Sequence, residues 1–439
     1  MENDRRSGEE ERSLLSRTRH HIVRLTPLWL LLLAPLFLFP RPAFAPAMLV
    51  LPLLWWLRKQ EKGYFFPRTP LDWPILLMVM MVLVSLFATF NLAFSLPKLA
   101  GLLFHIAVFY AVVEAVQSRQ GLLQSLGLYL LLGLIVVGLG IISTQWLFKV
   151  PLFNNITDRI PRLVQNLPNA ETGIHPNQLA GALLWFFPLQ LSLLWGMKAQ
   201  SPTVLNLPPK LVKGFLWGTV VLTVLVFVLT QSRGGWLGGL AAIGFLGAAI
   251  SKPVRWLVVA GAILALVGAS FVGWPVVADM VLSDATTSVV GDFGSLGFRT
   301  EVWRAALWGL ADFPFTGMGL GAFREVARLL YPLNVDPTYN IADAHNQFLQ
   351  AGLDLGMLGL IAFLSLWLGT GYVLVSLYRR MEERFMKGLV LGIGSSLFGY
   401  FLFAFTSIVA LGAKPGIFFW WLLALTMGLY RMDALAAYD

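Results

Sequence analysis

The stretch HNQFLQAGLDLGMLG, residues 345–359, places a polar His345-Asn346 pair directly before a long apolar run. The apolar residues continue to about residue 378, which is enough for a helix that crosses a bilayer. A hydrophilic segment precedes the pair, and Asn346 can cap the helix that follows it. The stretch therefore predicts a membrane-spanning helix with a titratable imidazole at its water-facing end.

The composition of the whole chain is that of a membrane protein. Of its 439 residues, 57% are hydrophobic and 13% are charged, and the mean hydropathy is +0.72. Apolar runs of about 17–25 residues recur, and backbone groups in lipid must pair within their own segment, so helices are expected. The runs lack the period-two alternation of an outer-membrane barrel. The predicted fold is an all-α polytopic membrane protein.

We expect about twelve transmembrane helices. Their approximate bounds are 27–41, 43–57, 72–91, 96–117, 121–147, 176–197, 211–231, 234–250, 256–278, 346–378, 386–411 and 415–431. The first two are short and interrupted by proline, so one of them can be re-entrant. Leu28 to Phe39 also resembles a signal sequence, but the long N-terminus of mixed charge favours an uncleaved hairpin.

The expected organisation has five parts. A cytoplasmic tail, 1–26, precedes helices one to nine in 27–278, and a large helical periplasmic loop, 279–345, follows. Helices ten to twelve occupy 346–431, and 432–439 form a second cytoplasmic tail.

Charge supports this topology. The net charge of +9 would suggest nucleic acid for a soluble protein, but here most cations lie in short loops, so no nucleic-acid partner is expected. With the N-terminus inside, the even-numbered short loops carry many more Lys and Arg residues than the odd-numbered short loops, which carry only Arg41, Arg233 and Lys414. The positive-inside rule then predicts that both termini are cytoplasmic. The three outside cations are candidates for function.

Several kinds of chemistry lack their usual residues. The chain has no cysteine, and its five histidines have no metal-ligand spacing. We find no Asp-x-Asp pair for a metal–nucleotide sugar, no Walker motif and no Ser-His-Asp arrangement. We therefore expect no metal and no cofactor. Electrostatic stabilisation by arginines, together with one general base, is the chemistry that remains.

Arg233 lies in a very short outside loop, Arg233-Gly-Gly-Trp-Leu237. Its guanidinium can bind phosphate through two parallel hydrogen bonds, and the glycines allow a substrate close to the backbone. The alternative is an interfacial arginine that extends to water. His345 can act as a general base toward a hydroxyl, oriented by Asp343, or it can be an interfacial polar residue.

Further candidates surround these two. Asp354 is an acid at membrane depth, although an ideal helix would turn it away from His345. Gly352, Gly356 and Gly359 are expected to let this span pack closely against a neighbour. Apolar spacing over Phe298 to Leu310 predicts an amphipathic helix in the large loop. The arginines of the large loop can bind a substrate or form a solvated face; they are Arg299, Arg304, Arg324 and Arg328. The run Gly317-Met-Gly-Leu-Gly321 lacks the preceding strand and the lysine that a nucleotide-binding loop needs.

The motifs resemble those of the O-antigen ligase family. His345-Asn346, nine residues and Gly356-x-x-Gly359 look like its His-[Asn/Ser/Gln]-x9-Gly-x-x-[Gly/Thr/Tyr] motif, and Arg233-x-x-x-Leu237 looks like its Arg-x3-Leu motif. The run His175-Pro-Asn-Gln178 is similar to another recurrent family segment. The twelve expected spans and the large loop between the ninth and tenth also match. The resemblance implies a GT-C-like glycosyltransferase.

By this resemblance, the chain would transfer a glycan from undecaprenyl pyrophosphate to a lipid A–core hydroxyl. The reaction would be metal-independent and inverting, on the periplasmic face of the bacterial inner membrane. Arg233 would bind the donor pyrophosphate and His345 would activate the acceptor hydroxyl. The resemblance implies that the other substrate-binding residues are Arg299, Arg162, Asn346, His175 and Asn177.

Other functions stay open at this point. A polymerase would use another carrier-linked repeat as the acceptor, and a protein O-oligosaccharyltransferase would use Ser or Thr. Both share the donor chemistry of a ligase, and the pattern around His345 favours the ligase. A transporter of lipid-linked glycans belongs to a different class and is typically marked by charges at the membrane midplane, for which Asp354 and Glu114 are the candidates.

Overall fold

The computed structural model describes residues 17–23, 25–39, 42–146, 150–164, 173–197, 208–282, 296–334, 341–409, 411–412 and 414–436. These residues form helices joined by short connections, with no β-strand among them. One 3₁₀ helix spans Pro42–Leu49. The α-helices are α1 Arg17–Val23, α2 Thr26–Leu38, α3 Val50–Lys62, α4 Asp72–Ala88, α5 Leu92–Ala115, α6 Arg119–Ser143, α7 Pro151–Thr157, α8 Pro176–Leu183, α9 Phe187–Gly196, α10 Pro209–Leu229, α11 Arg233–Ile250, α12 Lys252–Val272, α13 Trp274–Leu282, α14 Leu296–Asp312, α15 Phe323–Leu330, α16 Gln347–Arg380, α17 Arg384–Phe403 and α18 Gly416–Ala436.

The chain is an all-helical polytopic membrane protein. Within the described ranges, eight helices are long and apolar enough to cross a membrane, or nine if the bent pair α1 and α2 forms one span. The helix α12 shows the lipid-facing character most clearly, because it buries only Ala269 and exposes Trp256, Leu264 and Phe271. Such an apolar surface is stable only against lipid. The count of twelve spans stays a prediction.

The N-terminal region differs from the two spans expected there. The helices α2 and α3 have 13 residues each, and the 3₁₀ helix lies between them. Thirteen residues rise about 20 Å, which is less than the hydrocarbon core of about 30 Å. Pro35 and Pro46 lie inside these elements and explain why neither forms one long helix. The two expected spans, one of which can be re-entrant, stay a prediction.

Local sequence signals set where the long helices begin. The side chains of Asn91, Ser118, Ser232 and Asn346 each accept a hydrogen bond from a backbone N–H in the following turn. Proline stands at the first or second position of several other helices, where its missing N–H costs nothing; among them are α2, α7, α8, α9, α10 and α12.

Small residues let α17 pack closely between α9 and α11. A Cβ on Gly238 would lie 2.6 Å from the carbonyl oxygen of Gly399, and one on Gly388 would lie 2.9 Å from that of Ser192. The hydroxyl of Ser192 also donates to the carbonyl of Gly388 at 2.6 Å. Close backbone approach of this kind is the usual way in which helices associate in membranes. The packing fixes the position of α11 along the bundle axis, and with it the position of its first residue, Arg233.

The two ends of the helix bundle differ in charge. One end carries ion pairs that join helix termini: Glu114 with Arg58 and Lys62, Arg119 with Glu383, and Arg380 with Asp433. The opposite end carries Arg233 and the turn that contains His345. This separation agrees with the sides that the positive-inside rule predicts.

A break at Gly356 divides α16 into two helices. Gly356 has φ 70°, and a Cβ there would lie 2.5 Å from the carbonyl oxygen of Phe315. A Cβ on Gly352 would meet the side chain of Leu310 at 2.5 Å. Gly352 and Gly356 therefore pack closely against a neighbour, as expected, and this neighbour is the large loop. A Cβ on Gly359 would instead meet Leu355 of its own helix. Met357 N–H completes the contact with the loop by donating to the carbonyl of Pro314.

The predicted amphipathic helix in the large loop is present as α14. It buries Phe298, Val302 and Ala305 in a second hydrophobic cluster that also includes residues of α15 and Leu353 of α16. Gly317, Gly319 and Gly321 all have positive φ. They let the chain pass close to Leu353, Thr89 and Lys98 respectively, which is a packing role.

The break in α16 can be tested with two alanine substitutions in the same helix. Gly356→Ala should lower the stability of the folded protein by about 1–3 kcal/mol, because it combines an unfavourable positive φ with a backbone clash. Gly371→Ala is the matched control, since nothing lies within 4 Å of its added Cβ. Thermal unfolding in detergent measures both. Equal midpoints for the two variants would contradict the break.

Candidate active site

Arg233 is the first residue of α11 and follows a tight turn. Gln231 has φ 52°, and Ser232 caps the helix by accepting from Gly235 N–H at 3.2 Å. The side-chain oxygen of Gln231 accepts from Val150 N–H at 2.7 Å, which ties the turn to α7. A helix N-terminus carries a partial positive charge, so the guanidinium and the helix end add at the same point. The turn is suited to an anion.

Arg299 differs from the other loop arginines in its burial. Its residue is only 6% exposed, and its Nη1 donates to the carbonyl of Thr406 at 2.8 Å. Arg304, by contrast, is exposed and pairs with Glu301, and Arg324 is exposed above the ring of Phe94. A buried guanidinium needs a structural or chemical reason, whereas the exposed ones fit a solvated face.

Thr406 connects Arg299 to the Arg233 turn. It lies in the segment Ala404–Val409, which follows α17 and which we call the 404–409 segment. A Cβ on Gly234 would lie 2.5 Å from Thr406 Oγ1, so only glycine fits beside Arg233. Thr406 therefore binds Arg299 through its carbonyl, and its hydroxyl lies beside Gly234, the residue that follows Arg233.

The same segment holds the start of α16. The N–H of Gln347 donates to the carbonyl of Ala404 at 2.8 Å, and its side-chain oxygen accepts from Val409 N–H at 2.9 Å. His345 is two residues earlier in the chain. The 404–409 segment thus brings the Arg233 turn, Arg299 and the His345 turn to one place.

His345 lies in a strained turn rather than in the helix. Its φ is 48°, and its N–H donates to Asp343 Oδ1 at 2.7 Å, while Nδ1 lies 3.8 Å from the same oxygen. The ring of Phe298 packs edge-on at 5.6 Å between centroids. The imidazole Nε2 is covered and has no hydrogen-bond partner among the described residues. Asp343 can orient the ring because the turn, unlike a helix, brings i and i+2 together.

The turn is also held from the loop side. Trp303 Nε1 of α14 donates to the carbonyl of Ala344 at 3.0 Å. Because Phe298 and Trp303 belong to the same helix as Arg299, α14 contacts the His345 turn and the 404–409 segment together. Asn346 is buried, and its Oδ1 accepts from Phe348 N–H and Leu349 N–H at 3.0 and 3.1 Å. That oxygen therefore caps α16.

The remaining predicted residues lie nearby on other elements. His175 is exposed and caps α8 by accepting from Asn177 N–H at 3.2 Å. Ala180 of the same helix contacts Gly235, so α8 begins beside the Arg233 turn. Arg162 is exposed in a segment whose next residue, Leu163, donates to the carbonyl of Ile142. Arg162 therefore lies at the end of α6, on the edge of the site.

The 404–409 segment is a part of the site that the sequence did not predict. The expected span 386–411 included it, but α17 ends at Phe403 and the chain then turns without helical structure up to Val409. The polar pair Thr406-Ser407 and the nearby Pro415 are the signals that favoured an earlier end.

The chain matches the family model described as O-antigen ligase over residues 218–364. This range runs from α10 into α16 and contains Arg233, Arg299 and His345. Arg162, His175 and Asn177 lie outside it. No curated protein sequence matches the chain. The resemblance that the two motifs indicated is confirmed by the match.

The contact between the Arg233 turn and Thr406 can be tested by a double-mutant cycle. Gly234→Ala should destabilise the protein because its methyl group overlaps Thr406 Oγ1. In a Thr406→Ala background the overlap disappears, so the same change should cost less. We expect a coupling free energy of about 0.5–3 kcal/mol in thermal or denaturant unfolding. Additive effects of the two changes would show that the turn and the segment are not in contact.

Proposed function

Because its residues 218–364 form a domain of the O-antigen ligase family, we propose that this membrane protein is an O-antigen ligase. In this proposal it transfers a glycan from undecaprenyl pyrophosphate to a hydroxyl of lipid A–core. The observation that carries the proposal is that Arg299, the Arg233 turn through Gly234, and the start of α16 through Gln347 all contact the 404–409 segment. Two cations and a base in one place suit transfer from an anionic carrier.

The arginines would serve the leaving group. Cleavage of the glycosyl–phosphate bond leaves undecaprenyl pyrophosphate, whose negative charge must be neutralised as it develops. Arg233 adds its charge to the N-terminus of α11, and Arg299 is buried, where its field is screened less by water. Preorganised donors of this kind stabilise developing charge without reorganising.

His345 would serve the acceptor. A hydroxyl oxygen of the acceptor attacks the anomeric carbon, the bond to the pyrophosphate breaks, and the hydroxyl proton passes to Nε2. A single displacement inverts the configuration at that carbon. Asp343 on the Nδ1 side would keep a proton there, so that Nε2 is the free base. Since Nε2 is covered, the acceptor reaches it only after the Phe298 ring or the turn moves.

The membrane setting agrees with a lipid-borne donor. The site lies at the end of the bundle opposite the cluster of ion pairs. The positive-inside rule assigns the end with the ion pairs to the cytoplasm and the end with the site to the periplasm. We accordingly propose an inner-membrane protein with both termini in the cytoplasm. The polyprenyl chain of the donor would lie along lipid-facing apolar helices, such as α12.

Two alternatives use the same donor chemistry and differ only in the acceptor. A polymerase would extend another carrier-linked repeat, and a protein O-oligosaccharyltransferase would modify Ser or Thr. The transporter hypothesis has less support, because its charge candidates are satisfied by partners. Glu114 pairs with Arg58 and Lys62, and Asp354 pairs with Lys98.

The ligase proposal can be tested in a host that lacks this gene and is complemented with variants. Wild type should attach long polymers to lipid A–core. Arg233→Ala and His345→Ala should each leave polymer on the carrier and the core bare, with turnover lower by about 10²–10³. Arg255→Ala is a matched arginine control, since Arg255 is exposed in the first turns of α12 and donates to the carbonyl of Ala248.

The gel pattern separates the acceptors. Single repeats on the core in the gene-deficient host would identify a polymerase, and loss of glycan from proteins alone would identify an oligosaccharyltransferase. Ligation at wild-type rates by Arg233→Ala and His345→Ala would contradict the proposed roles of Arg233 and His345.

The proposed arginine-based stabilisation also predicts the response to chelators. Purified protein in excess EDTA should keep its transfer rate within about twofold of the untreated rate, because the guanidinium charges would replace a divalent cation at the pyrophosphate. Restoration of a lost rate by Mg²⁺ or Mn²⁺ would instead assign part of the charge neutralisation to a metal.

A further inference from the structure

Asp354 is the centre of a buried polar chain below the His345 turn. The residue is 2% exposed, and its Oδ1 accepts from Gly321 N–H at 2.8 Å and from Gln350 Nε2 at 2.7 Å. Its Oδ2 lies 3.4 Å from Lys98 Nζ of α5. A buried carboxylate with a counter-charge and two donors is fully compensated, so its position is well defined.

Gln350 connects this carboxylate to the catalytic turn. Its Nε2 donates to Asp354, and its Oε1 accepts from Ala344 N–H at 2.9 Å. Ala344 precedes His345 directly, and the carbonyl of Ala344 is the group that binds Trp303. Gln350 is itself 2% exposed, so water cannot replace either bond.

The carboxylate decides which way the glutamine amide points. An ionised Asp354 can only accept hydrogen bonds, so it binds the NH₂ end of Gln350 and leaves the oxygen for Ala344. Without an acceptor at position 354, the amide has no reason to keep this orientation, and its flip would place a donor against the N–H of Ala344. A strained φ such as that of His345 persists only when its surroundings hold it.

We propose that Lys98, Asp354 and Gln350 are positioning residues that set the geometry of the His345 turn for transfer. Lys98 supplies the counter-charge, Asp354 orients Gln350, and Gln350 holds Ala344. The proposal rests on the proposed function in one respect, namely that His345 acts on the acceptor. The geometric part, that this chain holds the histidine, stands apart from the reaction.

The geometric part can be tested without any glycan. Diethyl pyrocarbonate modifies accessible imidazole nitrogens, and mass spectrometry reports the rate for each histidine. His345 Nε2 is covered, whereas His175 is exposed and serves as the internal standard in the same sample. Loosening the turn should raise the rate at His345 several-fold relative to His175.

Two double variants separate the hydrogen bond from the charge. Lys98→Met with Asp354→Asn removes both charges but keeps an acceptor oxygen for Gln350 and Gly321. Lys98→Met with Asp354→Leu removes the charges and the acceptor, and Leu has the same branching and the same number of side-chain heavy atoms as Asp and Asn. The first should modify His345 at nearly the wild-type rate, and the second should modify it several-fold faster.

Gln350→Met provides a second route that leaves the ion pair intact. It should raise the His345 rate as the Leu variant does, and adding it to the Leu variant should have little further effect, because both break one chain of contacts. Thermal unfolding checks that each protein is folded. If the Leu variant does not fold, Gln350→Met decides the proposal alone.

Turnover provides the second readout. A misplaced base should lower kcat by about 10–100-fold with the KM for the donor nearly unchanged, since donor binding belongs to the arginines. Equal rates of His345 modification in the folded variants that carry Asp354→Asn, Asp354→Leu or Gln350→Met would overturn the positioning role. Faster modification together with unchanged kcat would retain the geometric role and instead reject His345 as the base.

Discussion

Gln347 makes the interaction on which the geometry of the site depends. It is 1% exposed, and its backbone N–H and side-chain oxygen both bind the 404–409 segment. The same side-chain oxygen accepts a longer hydrogen bond of 3.4 Å from Tyr400 OH of α17. The 404–409 segment also receives Arg299 and contacts Gly234. A displacement of the segment would therefore move the cations and the histidine relative to one another. Small errors of this kind cost large factors in rate, because catalysis needs reacting groups near their final positions.

The arrangement also explains why arginine and glycine occur together at position 233–235. In the proposed function the guanidinium binds an anion at the membrane surface, while the backbone behind it approaches both Thr406 and Ala180. Any side chain at Gly234 or Gly235 would push α11 away from these neighbours. The glycines that join α17 to α9 and α11 have the same effect further along the bundle. The close packing of α11 and the position of the Arg233 charge therefore depend on the same glycines.

The sequence predicted the class of fold because apolar length and loop charge are determined by the bilayer, whatever the tertiary packing. It also predicted the Arg233 turn, the amphipathic helix α14 and the cap at Asn346, since each depends on neighbours within a few residues. It did not predict the partners of these elements. The end of α17 at Phe403 and the break at Gly356 depend on contacts with distant residues such as Gln347 and Phe315. An ideal helix likewise separated His345 from Asp354, whereas the actual turn and Gln350 connect them.

The large loop is less independent than a boundary at residue 345 suggests. Its helices α14 and α15 share one hydrophobic cluster with Leu353, and Met318 N–H donates to the carbonyl of Leu353 at 2.7 Å. That carbonyl is free for this bond because the break at Gly356 ends the first part of α16 there. The loop therefore packs on the short helix 347–355, and the short helix carries the His345 turn at its start. Since Gly356 allows this helix to differ in direction from the rest of α16, the loop can set the position of His345 while the span beyond the break stays fixed by lipid and by its neighbours.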